Sequence, residues 1–276
     1  MLLPLSIHWH VDPVLFHIGP LQIRWYSLLF ISGFVLGWYL FRWFFRRERI
    51  PESLLDPLLY TLLGATIVGA RLGHCIFYDP GYYLTSWAGI AEIFMPWKGG
   101  LASHGGAIAL LLAMWWFSSK YGKKHGFDFL WIMDHLCLTV AFAGCFIRLG
   151  NLFNSEIYGF TTSLPWGIVF DLRGETEPKH PTQLYEALSY LVLGLVMLWL
   201  YRNRLDSLRR GELFAIFLLG CFGMRYLIEF VKDTTVVFGG AMTMGQLLSI
   251  PFIVAGICIL VYARKKGLPA RANPGK

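Results

Sequence analysis

Charge is scarce in this chain. Asp, Glu, Lys and Arg make up 15% of its 276 residues, whereas 56% are hydrophobic and the mean hydropathy is +0.53. Soluble domains carry roughly 25% charged residues, so a water-soluble globular fold is excluded. Cysteine is sparse as well. Cys75, Cys137, Cys145, Cys221 and Cys258 each stand alone in an apolar run, with no CxxC and no His-spaced ligand pattern, and they read as helix-packing residues. There is no HExxH, no GxSxG and no group of carboxylates spaced for Mg²⁺. Metal-assisted hydrolysis and serine-hydrolase chemistry therefore lack their residues, and neither a metal nor a cofactor is expected. The N-terminus has no basic n-region, so the first apolar run is expected to be retained rather than cleaved.

What the chain does contain is apolar runs of about 20 residues, the length that crosses ~30 Å of hydrocarbon. About seven of them, near 20–42, 57–78, 100–118, 127–148, 182–201, 211–231 and 244–263, predict an all-α integral membrane bundle. Residues 1–276 read as one polytopic domain with outer loops around 79–99 and 149–181. The aromatic-rich start, His8 to Phe16, suits an interface. Gly33 with Gly37, and Gly69 with Gly73, are small pairs at the spacing that lets helices approach closely.

Basic residues set the expected orientation. Arg42, Arg46, Arg47 and Arg49 follow the first run, and Lys120, Lys123 and Lys124 the third. Arg202, Arg204, Arg209 and Arg210 follow the fifth, and Arg264, Lys265, Lys266, Arg271 and Lys276 the seventh. These are two-thirds of the 24 Lys and Arg. The positive-inside bias puts the N-terminus outside and the C-terminus in the cytoplasm. The net charge of +7 is then a mark of topology, and no nucleic-acid partner is expected.

On that topology the polar residues inside the runs gather at their outer ends. They include Arg24 and Tyr26, Arg71, His104, Arg148, the segment His180 to Glu186, Arg225 with Glu229, and Gly245 with Gln246. The densest stretch is Arg148-Leu149-Gly150-Asn151-Leu152-Phe153-Asn154-Ser155-Glu156-Ile157-Tyr158-Gly159. Polar groups at membrane depth are costly and mark function by default. Gly150 and Gly159 would allow main-chain amides to approach a ligand, and an arginine beside such amides suits a phosphate. Plainer roles exist for each residue. Arg225 and Glu229, four apart, can neutralise one another. Asp134 and His135 suit helix–helix contacts, Tyr26 an aromatic belt, and Thr182, Gln183 and Glu186 early-turn capping. His104, flanked by Gly105 and Gly106, has an accessible ring and is the candidate base. Cations, a base and amides at the outer leaflet fit a phosphate-bearing lipid attacked by a group that must lose a proton.

Seven segments resemble the prolipoprotein diacylglyceryl transferases. They are Ile23 to Tyr26, Gly69 to Gly73, Ser103 to Gly106, the 148–159 stretch, His180 to Glu186, Arg225 to Glu229 and Met244 to Gln246. The resemblance implies an enzyme of the bacterial cytoplasmic (inner) membrane with its site facing the periplasm. It would transfer diacylglyceryl from phosphatidylglycerol to the lipobox cysteine of a prolipoprotein signal peptide. A thioether forms and glycerol phosphate is released. By position, Arg148 and Arg225 match arginines associated with the lipid, and His104 matches an essential histidine. Tyr26, Asn151, Glu156, Gly159 and Glu229 match residues needed for activity, read as substrate-binding. Leu152, Ser155 and Lys232 depart from the usual residues; a lysine at 232 weakens any bidentate phosphate contact there. Two other readings remain: a lipid head-group-binding transporter, and a different lipid-dependent membrane transferase. The chain shows neither a repeat between halves nor a midplane site, the usual marks of a transporter.

Overall fold

The computed structural model describes residues 7–95, 98–233, 236–237 and 242–272. In chain order it forms β1 (Ile7–Trp9), β2 (Val14–Ile18), β3 (Leu21–Arg24), α1 (Trp25–Glu48), α2 (Leu55–Phe77) and two short helices, α3 (Pro80–Tyr83) and α4 (Trp87–Ile93). These are followed by α5 (Ser103–His125), α6 (Phe129–Phe153), β4 (Ile168–Phe170), α7 (Thr182–Arg204) and α8 (Glu212–Ile228). The last elements are β5 (Val236–Val237), β6 (Met242–Thr243) and α9 (Met244–Lys266). Glycines in the left-handed conformation stop two long helices, Gly126 (φ 72°) after α5 and Gly267 (φ 64°) after α9.

The fold is mostly helical and built for a membrane. Among the described residues six helices are long and apolar enough to cross: Trp25–Glu48, Glu52–Phe77, Phe129–Phe153, Thr182–Arg204, Glu212–Val231 and Met244–Lys266. The third predicted run corresponds to α5, which has the length but falls outside that set. Two boundaries differ from the sequence reading. Residues 21–24 of the first run are the second strand of a hairpin with β2, turned at Gly19, so the helix begins only at Trp25. The fourth run continues as helix to Phe153, so Arg148 lies inside α6 rather than closing it.

Chain contacts define two compact units. The first comprises Met1–Leu40 and Asp134–Arg271. Within it Gly33 lets α1 approach α6, where an added Cβ would stand 3.1 Å from that of Ala143, and Gly37 faces Thr139. Asp134, 1% exposed, accepts from the amides of Gly211 and Phe214, both at 2.7 Å, and so caps α8. His135 meets Tyr201 edge-on at 5.2 Å. Both are the structural contacts expected of them. On the loop side, β1 pairs in parallel with β4, and Trp25 stacks on Phe153 at 4.8 Å.

The second unit comprises Phe41–Met133 and Ala272–Lys276. Here Gly69 and Gly73 of α2 meet Gly105 of α5 backbone to backbone. An added Cβ on Gly73 would stand 2.6 Å from the Gly105 Cα, which no side chain permits. Arg71, 3% exposed, spends its guanidinium on backbone carbonyls. Nε reaches Ile93 at 3.2 Å, Nη1 reaches Gly99 at 2.6 Å, and Nη2 reaches Glu92. It fastens Glu92, Ile93 and Gly99 and has little left for a ligand.

Candidate functional site

The site is built from the end of α6 and the loop after it. Arg148 and Asn151, three apart, share one face of the helix, and Nη1 of Arg148 donates to Oδ1 of Asn151 at 3.2 Å. Asn151 in turn donates to Glu156 Oε1 at 2.7 Å, and Asn154 donates to the same oxygen at 3.3 Å. The chain leaves the helix through two unfavourable conformations, Ser155 at φ 50° and Ile157 at φ 62°. A β-branched residue at positive φ is an outlier that persists only where its surroundings enforce it, at a cost of ~1–3 kcal/mol.

The first turn of α7 supplies that enforcement. Thr182 Oγ1 donates to the Ile157 carbonyl and Gln183 Nε2 to the Glu156 carbonyl, each at 2.7 Å. From the other side Arg173 donates to the carbonyls of Ser155 at 2.9 Å and Asn154 at 3.1 Å. Thr182 and Gln183 are therefore clamps on the 148–159 stretch, not caps of their own helix. Gly159 closes the loop as a bridge to Lys232, donating its amide to the His180 carbonyl at 2.8 Å. An added Cβ there would overlap the Val231 carbonyl oxygen, and one on Gly150 would stand 2.7 Å from the Tyr26 ring. Both glycines thus serve close internal packing. The expected amide cradle is absent at Gly159 because its N–H is already donated.

Four charges lie together behind this loop. Glu186, 1% exposed, sits 2.6 Å from Nε of Arg148 and 3.2 Å from Nζ of Lys232. The first contact is a close ion pair whose angle falls short of an aligned hydrogen bond. Lys232 also lies 3.7 Å from Glu229, whose carboxylate rests against Gly245 at the start of α9. A carboxylate there is favoured by the helix dipole. Gln246 completes a capping box with Thr243, leaving its buried Nε2 without a partner among the described residues. The expected Arg225–Glu229 pair does not form, because Glu229 turns to Lys232. Among the described residues no hydrogen bond or ion pair engages Arg225. Arg225 lies one turn beyond Cys221 on α8, and Cys221 packs against Cys145, Ala187 and Tyr190 on the helices that carry Arg148 and Glu186. Tyr26 lies against Gly150, beside Asn151 in the chain.

Seven of the eight expected site residues, Tyr26, Arg148, Asn151, Glu156, Gly159, Arg225 and Glu229, fall in the first unit. His104 belongs to the second. It opens α5 with an exposed ring beside Phe77 at 5.5 Å and Tyr78 at 5.7 Å. Its neighbour Gly105 is covered by α2, so the flanking glycines serve helix packing there. The sequence reading missed the contacts of Arg173 and the non-capping partners of Thr182, Gln183 and Glu186, and it noted Lys232 only as a departure. Thr182, Gln183 and Glu186 share one helix face at i, i+1 and i+4. A polar face at the mouth of a membrane helix was the available signal. Among the described residues no three His, Cys, Asp or Glu side chains converge as metal ligands.

Comparison with known proteins agrees over nearly the whole chain. Residues 13–262 match the family model described as prolipoprotein diacylglyceryl transferase. A Tolumonas auensis protein named phosphatidylglycerol–prolipoprotein diacylglyceryl transferase is 43% identical over 262 residues, covering 94% of this chain and 98% of its own. Proteins of the same name from Bacteroides fragilis and Porphyromonas gingivalis are 40% and 42% identical. The former covers 95% of this chain and 97% of its own length, the latter 99% and 100%.

Proposed function

The chain belongs to the prolipoprotein diacylglyceryl transferase family, and from that premise we propose how its residues divide the work. The enzyme transfers diacylglyceryl from phosphatidylglycerol to the lipobox cysteine of a bacterial prolipoprotein. The cysteine sulfur attacks the glyceryl carbon that carries the phosphate ester. A carbon–sulfur bond forms, the carbon–oxygen bond breaks, and its electrons leave on glycerol phosphate. The thiol proton must go to a base, because only the thiolate is an effective nucleophile.

The observation that carries this reading is the unequal use of the two arginines. Arg148 has one nitrogen turned to Glu186 and one to Asn151, which fixes its plane and leaves Nη2 for the phosphodiester. Arg225 has its whole guanidinium in reserve among the described residues. Positioned cations that meet charge as it develops are the main source of stabilisation for such a leaving group. Tyr26, Asn151, Glu156 and Glu229 keep this seat in shape, and Gly159 lets the loop that carries it close against Val231. His104 takes the thiol proton. About seven spans follow from the apolar runs, an outer N-terminus and site from the distribution of Lys and Arg, and the inner membrane with a periplasmic site is what the family implies.

The test uses purified protein, phosphatidylglycerol and a lipobox peptide, with chelator present. Thioether-linked peptide and glycerol phosphate should accumulate together. Head-group binding without thioether would point instead to a transporter, and inorganic phosphate as the direct product would exclude attack at carbon. Cysteine labelling should reach positions 98 and 173 from outside and position 46 from inside only; the reverse would invert the topology.

A further inference from the structure

We infer that Glu186 is the positioning residue of the head-group seat, acting on the lipid through Arg148 alone. This rests on the reading of Arg148 as a phosphate ligand. Glu186 is a carboxylate with 1% of its side chain exposed, held between two cations on different segments, Arg148 in α6 and Lys232 after α8. A bare carboxylate beside a phosphate would repel it. Here both oxygens face cations, so Glu186 can stand near an anion without opposing it. Lys232 covers Oε1 at 3.2 Å, and Oε2 is left to hold Nε of Arg148 at 2.6 Å. With Asn151 engaging Nη1 at 3.2 Å, the guanidinium plane is fixed from two sides.

A buried ion pair is weak evidence for stability, since desolvation offsets attraction; what it secures is geometry. Removal of Glu186 should therefore let the Arg148 fork swing. A misplacement of about 1 Å at a reacting centre costs on the order of 10²-fold.

The experiment is a double-mutant cycle on the full-length purified protein with Glu186→Gln, Arg148→Lys and the pair. Glu186→Gln should lower kcat/KM for phosphatidylglycerol at least tenfold and leave KM for the lipobox peptide unchanged. Because both residues serve one contact, the double variant should lie within about threefold of Arg148→Lys alone, far short of the additive loss. A merely structural Glu186 would instead shift thermal stability and both KM values. Losses that multiply, or a Glu186→Gln deficit below tenfold, would overturn the inference and leave the role of Arg148 standing. Wild-type behaviour of Arg148→Lys would remove the reading underneath it. If Glu186→Gln does not fold, Glu186→Asp takes its place in the cycle. If turnover of the Arg148 variants is too slow, the Kd for phosphatidylglycerol is read in the same four proteins.

Discussion

Replacing Gly159 by alanine adds one methyl group where the structure has no room for it. The new Cβ would overlap the Val231 carbonyl oxygen and stand 2.9 Å from both the His180 Cβ and the Thr182 Cγ2. These are backbone or backbone-proximal atoms, so no flexible side-chain end can move aside. Relief requires opening the bridge to Lys232. Two hydrogen bonds would be lost or stretched, Gly159 N–H to His180 O at 2.8 Å and Phe160 N–H to Val231 O at 3.0 Å. At about 1 kcal/mol each, with ~1–3 kcal/mol for overpacking, the cost comes to roughly 3–5 kcal/mol. The displacement passes to Lys232 on one side and to the clamp on Ile157 on the other. Gly159→Ala should therefore lower the thermal midpoint of the detergent-solubilised protein and abolish diacylglyceryl transfer. Mass spectrometry of the lipobox peptide reads the second effect. An alanine variant with the wild-type midpoint and turnover would mean that the loop relaxes freely, and the clamped-loop argument would fail.

Three further outcomes are expected. Arg148→Lys keeps the charge but loses the planar fork, so its turnover should fall nearly as far as that of Arg148→Ala, with folding and membrane insertion intact; near-wild-type rates would make it a simple point charge. His104→Asn should lose ~10²–10⁴-fold and regain part of that toward pH 9, where a free thiol of pKa ~8.5 ionises unaided; a deficit constant from pH 6 to 9 in a folded variant would rule out the base role. In the loop between α6 and α7 the Tyr158 phenol donates to Glu175 at 2.7 Å, holding that carboxyl below its usual range, with Lys179 adding to the effect, while burial and the same bond push Tyr158 up to about 12. A depressed carboxyl stabilises above its unfolded pKa and ceases to do so as pH falls through its folded one, so the gap in midpoint between wild type and Glu175→Gln should be steady above pH ~5 and close below ~4; a gap independent of pH would remove the coupling.

Much of the architecture was legible because bilayer chemistry leaves few alternatives. Apolar runs of spanning length became helices, and the Gly69 and Gly73 pair became the close approach of α2 to α5. The hairpin at residues 14–24 was not legible, since its strand Leu21–Arg24 runs straight into Trp25 of the helix with no turn residue between them. At the site, residue types were readable and partners were not. Arg225 and Glu229 have ideal spacing for a helix pair, yet Glu229 lies just past the end of α8 and meets Lys232 instead. Gly150 and Gly159 signalled close approach, but sequence does not say of what; the approaching groups are Tyr26 and Val231 of the same chain. Glu186 was hidden because its role exists only once α6, α7 and the segment after α8 are brought together.

The pairing of Glu229 with Lys232 has a consequence for the proposed reaction. Phosphatidylglycerol brings one negative charge, and a phosphate monoester carries about −1.5 to −2 near neutrality. Negative charge therefore grows on the leaving group during bond breaking, and only interactions that strengthen with that growth raise kcat. Arg148, Lys232, Glu186 and Glu229 carry two charges of each sign and cancel among themselves. A conventional i,i+4 pair with Glu229 would have quenched Arg225 as well. By turning Glu229 toward Lys232, the fold leaves Arg225 uncommitted among the described residues. The differential stabilisation of glycerol phosphate should accordingly rest on Arg225, with Arg148 supplying orientation. Arg225→Gln should then depress kcat more than it raises KM for the lipid, and the opposite split would assign Arg225 to ground-state binding.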